Sequence, residues 1–205
     1  MKKIFLIILL IFFKTNLAHS LIEVDITRGN LDPLPIAVSP LHVDPKSDII
    51  KEIKVKELGE DISSIVEKNF KSTGLFNPLQ KESFVQKPDI AHLKPRFEDW
   101  RLIKAQALIT GKVLIKDNKL KVEFRLWDLT ASKEMLALAF TTTPTNWRRV
   151  AHIISDKIYE RLTGEKGYFD TRIIYVAENG PKNERVKKLA IMDQDGANTK
   201  YLTLG

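Results

Sequence analysis

The chain has 205 residues and a formal net charge of +7, with 43% hydrophobic residues, 29% charged residues and no cysteine. This composition is typical of a globular protein and excludes an intrinsically disordered chain. The lack of cysteine excludes disulfides, thiolate metal ligands and cysteine nucleophiles. At about 150 residues per domain, the length predicts one domain and a further fragment.

The first twenty residues predict a secretory signal peptide. Two lysines precede an unbroken apolar run over residues 4–13, and Ala18 and Ser20 are small residues before a cleavage site between Ser20 and Leu21. The run is short for a membrane span, and an uncleaved N-terminal anchor is the alternative. Cleavage removes three lysines and no acids, which lowers the formal net charge from +7 to +4. The basic character is therefore weak support for nucleic-acid binding.

The predicted mature chain begins with an alternating segment, LIEVDITRG, at residues 21–29. Ile22, Val24 and Ile26 fall on one side and polar residues on the other, which predicts a half-buried strand. A second strand is predicted over residues 34–43, where two prolines restrict it to a sheet edge or to irregular pairing.

The middle of the chain predicts helices that pack on a sheet. Apolar residues recur at helical spacing in residues 57–74, 96–105 and 144–164. Three consecutive strands are predicted over residues 106–143, the first two joined by a tight turn at Asp117 and Asn118. Residues 21–164 therefore predict an α+β (α/β layered) domain with a mixed sheet and packed helices.

Residues 165–205 have a different pattern, with a glycine-rich linker and then short strands about ten residues apart. Too few strands are present to bury a core alone, so they either dock on the first domain or open a repeat. Asp193, Gln194, Asp195 and Gly196 form a calcium loop, a catalytic carboxylate pair or a turn. The spacing departs from an EF-hand and a hairpin tip offers no cleft, so a turn is favoured.

The sequence carries no motif that predicts catalysis. It lacks a Gly-x-Ser-x-Gly elbow, a Ser-x-x-Lys pair and a phosphate-binding Gly-x4-Gly-Lys loop. The histidines share no zinc-ligand spacing. We therefore predict no catalytic residue, no cofactor-binding residue and no metal site.

Four segments resemble the TolB family of the Tol-Pal system. They lie at residues 59–79, 107–113, 162–182 and 189–203, and the pattern LTG-x-K-G-x-F-x-TRI-x-YV within the third is specific. The resemblance covers nearly the whole predicted mature chain. It implies an N-terminal α/β domain followed by a six-bladed β-propeller, of which residues 165–205 are the linker and an incomplete first blade.

The resemblance also implies a function. TolB-type proteins are non-enzymatic periplasmic adaptors of Gram-negative bacteria that link TolA at the inner membrane to the lipoprotein Pal, for outer-membrane integrity and constriction at division. Their first mature residues bind TolA and switch between docked and free states, whereas the propeller binds Pal. Carried over, the TolA segment is Leu21, Ile22, Glu23, Val24, Asp25, Ile26, Thr27, Arg28, Gly29, Asn30, Leu31 and Asp32. Most of the Pal surface is expected beyond Gly205.

Two other functions stay open on the sequence. One is an accessory N-terminal domain of an exported propeller hydrolase, which the discovery of a Gly-x-Ser-x-Gly motif downstream would favour. The other is a nucleic-acid-binding α/β module, which an intracellular, uncleaved product favours. The TolB reading instead implies no cofactor, no nucleic acid and no stable membrane insertion after cleavage.

Overall fold

The computed structural model of the protein describes residues 22–24, 32–51 and 53–204, so the predicted signal peptide lies outside the described residues. The helices are α1 (Leu58–Thr73), α2 (Pro88–Ala91), α3 (Phe97–Leu102) and α4 (Trp147–Thr163). The strands are β1 (Leu34–Val38), β2 (His42–Val43), β3 (Phe76–Pro78), β4 (Ala107–Lys116), β5 (Lys119–Asp128), β6 (Lys133–Thr142), β7 (Arg172–Asn179), β8 (Val186–Asp193) and β9 (Lys200–Tyr201). No helix among these described residues is both long and apolar enough to cross a bilayer.

The larger sheet has the order β3-β1-β4-β5-β6, and β2 pairs with β4 beyond β1. β1 runs parallel to β3 and β4, whereas β4, β5 and β6 are antiparallel neighbours. Asp117 and Asn118 join β4 to β5 with φ angles of 50° and 55°, as a tight hairpin turn requires. The predicted α+β architecture with a mixed sheet is confirmed.

Helices α1 and α4 cover one face of this sheet. Their inward positions follow the predicted helical spacing, and each helix ends at a left-handed glycine, Gly74 or Gly164. The opposite face is covered by the segment that includes α3, where Trp100 is buried and donates to the Gln86 side chain at 3.0 Å. The buried apolar residues of the two helices are Leu58, Ile62, Ile65, Val66, Phe70, Val150, Ala151, Ile154, Ile158, Tyr159 and Leu162.

The prediction that prolines restrict residues 34–43 to a sheet edge is wrong for β1, which lies between β3 and β4. Pairing with β4 begins only at Ile36, so Pro35 occupies a position where no N–H is needed on that side. Its carbonyl still accepts the Gln106 N–H at 2.9 Å. The predicted irregular pairing is found at Pro40, where the strand breaks between β1 and β2.

The smaller sheet has the antiparallel order β7-β8-β9. Asp193 to Gly196 form a turn, in which the Gly196 N–H donates to the Asp193 carbonyl at 2.9 Å and Gly196 has a φ of 84°. The predicted turn is confirmed. The interpretation of this sheet as the first blade of a propeller stays a prediction.

Candidate functional site

The N-terminal arm, which we define as residues 22–24, lies against the α+β domain. Val24 is buried in the main hydrophobic core, Ile22 packs against that core, and Glu23 is exposed. The alternation of inward and outward side chains agrees with the sequence pattern. None of the three residues belongs to a strand, so the strand prediction is wrong for them. The remainder of that predicted strand, residues 25–29, lies outside the described residues.

The end of α4 provides the first anchor of the arm. The Val24 N–H donates to the Leu162 carbonyl at 2.7 Å. Leu162 lies in the last turn of the helix, where carbonyl groups have no partner inside the helix. The arm therefore satisfies a helix-end acceptor and buries an apolar side chain at the same place.

The end of β5 provides the second anchor. Asp128 is the last residue of β5 and its side chain is fully buried. One carboxylate oxygen accepts the Ile22 N–H at 3.1 Å, and the other accepts the Ala131 N–H at 2.8 Å. A buried carboxylate needs such donors, because burial without them costs several kcal/mol. Asp128 thus joins the arm to the turn between β5 and β6.

The structure describes four residues of the predicted TolA segment. Ile22 and Val24 contact the domain, whereas Glu23 and Asp32 are exposed. The other predicted residues of the segment, and Ser20 of the cleavage site, lie outside the described residues: Leu21, Asp25, Ile26, Thr27, Arg28, Gly29, Asn30 and Leu31. Asp128 and Leu162 were not predicted. Asp128 resembles an ordinary turn aspartate in the sequence, and a main-chain carbonyl leaves no sequence signal.

A second polar cluster connects α4 with the turn after β8. His152 is buried, and its Nε2 lies 3.7 Å from Oδ2 of Asp195, which also pairs with Arg148 at 2.5 Å. His152, Asp193 and Asp195 offer ligand atoms within 4.8 Å of one another. The sequence predicted no metal site because its histidines share no ligand spacing, and His152 is far from the two aspartates in the chain.

The pKa of His152 is lowered from its ordinary value of 6.5, chiefly by burial and also by the charge of Arg148. Asp195, Asp193 and Asp170 oppose that shift. The unfolded chain therefore takes up the proton at a higher pH than the folded chain does. The neutral His152 ring therefore contributes to the free energy of unfolding above about pH 6.5, and this contribution is lost as the pH falls below that value.

We expect the His152→Gln variant to lose less stability than the unmodified chain between about pH 7.5 and about pH 5.5, with a difference below about 1.4 kcal/mol per pH unit. Urea denaturation at several pH values measures this difference. The pKa of His42 is also lowered, by burial and by His92, so His42 is a second source of pH-dependent stability. The His42→Gln variant measures its share separately. An unchanged pH dependence in His152→Gln would contradict the assignment.

The fold defines a class of protein: an α+β domain followed by a small antiparallel sheet, with an N-terminal segment that docks on the domain. The sequence model of the TolB amino-terminal domain matches residues 22–135. The Tol-Pal system protein TolB of Pelagibacter ubique is 66% identical over 207 residues, covering 100% of this chain and 46% of that relative. The chain belongs to the TolB family.

A solved structure supports the fold. The crystal structure of TolB from Acinetobacter baumannii matches with a TM-score of 0.68 and 23% sequence identity, over 84% of this chain and 39% of that chain. The Pelagibacter ubique relative is by name a component of the Tol-Pal system. The chain spans less than half of the length of the matched TolB relatives.

Proposed function

We propose that this protein is a non-enzymatic periplasmic adaptor of the Tol-Pal system in a Gram-negative bacterium. Its N-terminal segment, residues 21–32, binds TolA, and the remainder of the protein beyond the described sheet binds the lipoprotein Pal. The adaptor thereby links the inner membrane to the outer membrane and supports envelope integrity and constriction during division. The observation that carries this proposal is the arm, which contacts the domain through few anchors in a TolB-family chain.

The anchors suit a segment that exchanges between two states. Burial of Val24 contributes about 2 kcal/mol, and the bonds to Leu162 and Asp128 contribute about 1 and about 2 kcal/mol. Fixing the backbone of the three arm residues costs about 3–6 kcal/mol. Because these values nearly cancel, a partner with a moderate preference for the free arm can shift the equilibrium toward release.

The same atoms serve both states in this mechanism. In the docked state the Ile22 and Val24 side chains face the core, and their N–H groups bond to Asp128 and Leu162. In the free state that apolar face and those main-chain donors become available to add a strand to the edge of a partner sheet. Docking and binding to TolA therefore exclude each other.

Calorimetric titration of residues 21–205 with the C-terminal domain of TolA from the same source tests the proposal. We expect saturable binding by residues 21–205 and none by residues 33–205, which lack the segment. Equal binding by both chains would place the contact elsewhere. Absence of binding by both would contradict the proposed TolA segment.

A pair of point variants checks which face of the arm binds. In a peptide of residues 21–32, which has no docked state to lose, we expect Val24→Ser to weaken binding to TolA by roughly tenfold, the effect of losing about 1.4 kcal/mol of apolar contact. Glu23→Ser introduces the same residue at the neighbouring exposed position, serves as the control and should change the affinity little. A larger effect from Glu23→Ser would contradict the mechanism in which docking and binding use the same face.

A further inference from the structure

A cavity of about 600 Å³ lies between the beginning of α4 and the β7-β8-β9 sheet. We call it the basic cavity, because Arg148, Arg149, Arg172 and Lys200 line it. His152 forms part of its buried wall. The volume lies within the range of small-molecule sites in proteins. The proposed adaptor function assigns no role to this cavity.

The hydrogen bonds around His152 determine which ring nitrogen carries the proton. The Ser155 hydroxyl donates to the Ala151 carbonyl at 3.0 Å, so its oxygen accepts from Nδ2 of Asn69 at 2.8 Å. The amide nitrogen of Asn69 also lies 3.0 Å from Nδ1 of His152. Nδ1 is therefore an acceptor, and the proton of the neutral ring is on Nε2.

Nε2 of His152 is buried and has no acceptor within hydrogen-bond distance among the described residues. The nearby carboxylate oxygen Oδ2 of Asp195 lies 3.7 Å away, too far for a hydrogen bond. Nε of Arg148 is likewise buried and unpartnered within that part of the chain. These residues are four positions apart on α4, so the two donors lie on one face of the helix and line the same cavity. Buried donors in native proteins nearly always have a partner, so the pair indicates a ligand that supplies an acceptor atom.

The charges favour an anion over a cation. Four cationic and two acidic side chains line the cavity. A third carboxylate, Asp195, lies beside its wall, so the cations exceed the carboxylates by one. Arg149 pairs with Asp170 at 3.1 Å. Oδ2 of Asp195 pairs with Arg148 at 2.5 Å, and Oδ1 of Asp193 lies 3.8 Å from Nε of Arg172. A metal ion needs a lone pair on Nε2 of His152, which carries the proton instead. The group of His152, Asp193 and Asp195 is thus poorly suited to a metal ion.

We infer that the basic cavity binds a small oxyanion, a carboxylate or a phosphate. One oxygen of the ligand accepts from Nε2 of His152 and Nε of Arg148, and Arg172 and Lys200 neutralise its charge at the mouth. Such a ligand touches α4 and the smaller sheet at once. Its binding therefore stabilises the contact between them, and the stabilisation rises with the logarithm of the ligand concentration once that concentration exceeds the Kd.

Titration calorimetry of the full chain with citrate, with inorganic phosphate and with zinc chloride tests the inference. We expect saturable binding of citrate or phosphate, and the comparison of these two shows which oxyanion the cavity accepts. A nitrogen-15 spectrum of His152 should show a shift of the Nε2–H signal on binding. No saturable binding of either oxyanion, or binding of zinc alone, would overturn the inference.

Three variants show whether the binding occurs in the cavity. His152→Asn keeps an acceptor for Asn69 but lacks the Nε2 donor, and Arg172→Met removes an exposed cation at the mouth. Each should weaken oxyanion binding by roughly tenfold, as expected for a lost charge-assisted hydrogen bond. Arg185→Met removes an exposed arginine that directly precedes β8, outside the cavity lining, and should leave the affinity unchanged. An equal loss in Arg185→Met would also overturn the inference.

Discussion

Gly59→Ala is expected to destabilise the domain by roughly 3 kcal/mol or more. Gly59 lies at the beginning of α1, where a β-carbon would stand 1.9 Å from the Leu41 carbonyl oxygen and 3.2 Å from Cγ2 of Val43. The Leu41 N–H also donates to the Gly59 carbonyl at 3.1 Å, which holds the two backbones together. Because the obstacle is main chain, a side-chain rotation cannot relieve the clash. Urea denaturation measures the loss.

The matched control for Gly59 is Lys68, an exposed position on the same helix. There the Lys68→Ala variant should be more stable than Lys68→Gly by about 1 kcal/mol, the ordinary helix preference for alanine. At position 59 the order should reverse, with glycine the more stable. If alanine is favoured at both positions, the close approach of α1 to Leu41 does not limit stability.

Local patterns predicted most of the fold. Apolar spacing gave α1 and α4 nearly to their ends, because each has one buried face and a terminal glycine. The turn at Asp117 and Asn118 was predictable because few residues other than glycine, asparagine and aspartate adopt its positive φ angles readily. Both features depend on residues that are close together in the chain.

The sites depend on contacts between residues that are far apart, and local patterns do not report these. The Ile22 N–H reaches Asp128 across 106 positions, and the Gln194 side chain donates to Asn69 across 125. The prediction that prolines place residues 34–43 at a sheet edge was wrong for β1 for a related reason. A proline excludes a hydrogen bond on one side of a strand, but only the neighbouring strands determine whether that bond is needed. The anchors of the arm and the wall of the basic cavity therefore required the structure.

Asp128→Ala is expected to release the arm and to lower stability by roughly 2–4 kcal/mol. The change removes both carboxylate acceptors, leaving the Ile22 N–H and the Ala131 N–H without partners in a buried place. The Ile22 N–H can bond to water when the arm leaves the domain. The substitution therefore destabilises the docked state more than the free state. Hydrogen exchange at Ile22 and Val24 should therefore become faster, and denaturation should show the loss of stability.

A thermodynamic cycle separates the arm from the turn. Deletion of residues 21–32 should cost less stability in the Asp128→Ala background than with Asp128 present, because the bond to Ile22 is already gone. Under the proposed exchange, Asp128→Ala should also raise the affinity of the chain for TolA, since less free energy is needed to free the arm. Equal deletion costs in both backgrounds, with unchanged exchange at Ile22, would show that Asp128 supports only the turn at Ala131. A lower affinity for TolA would instead place Asp128 in the binding-competent state rather than in the docked one.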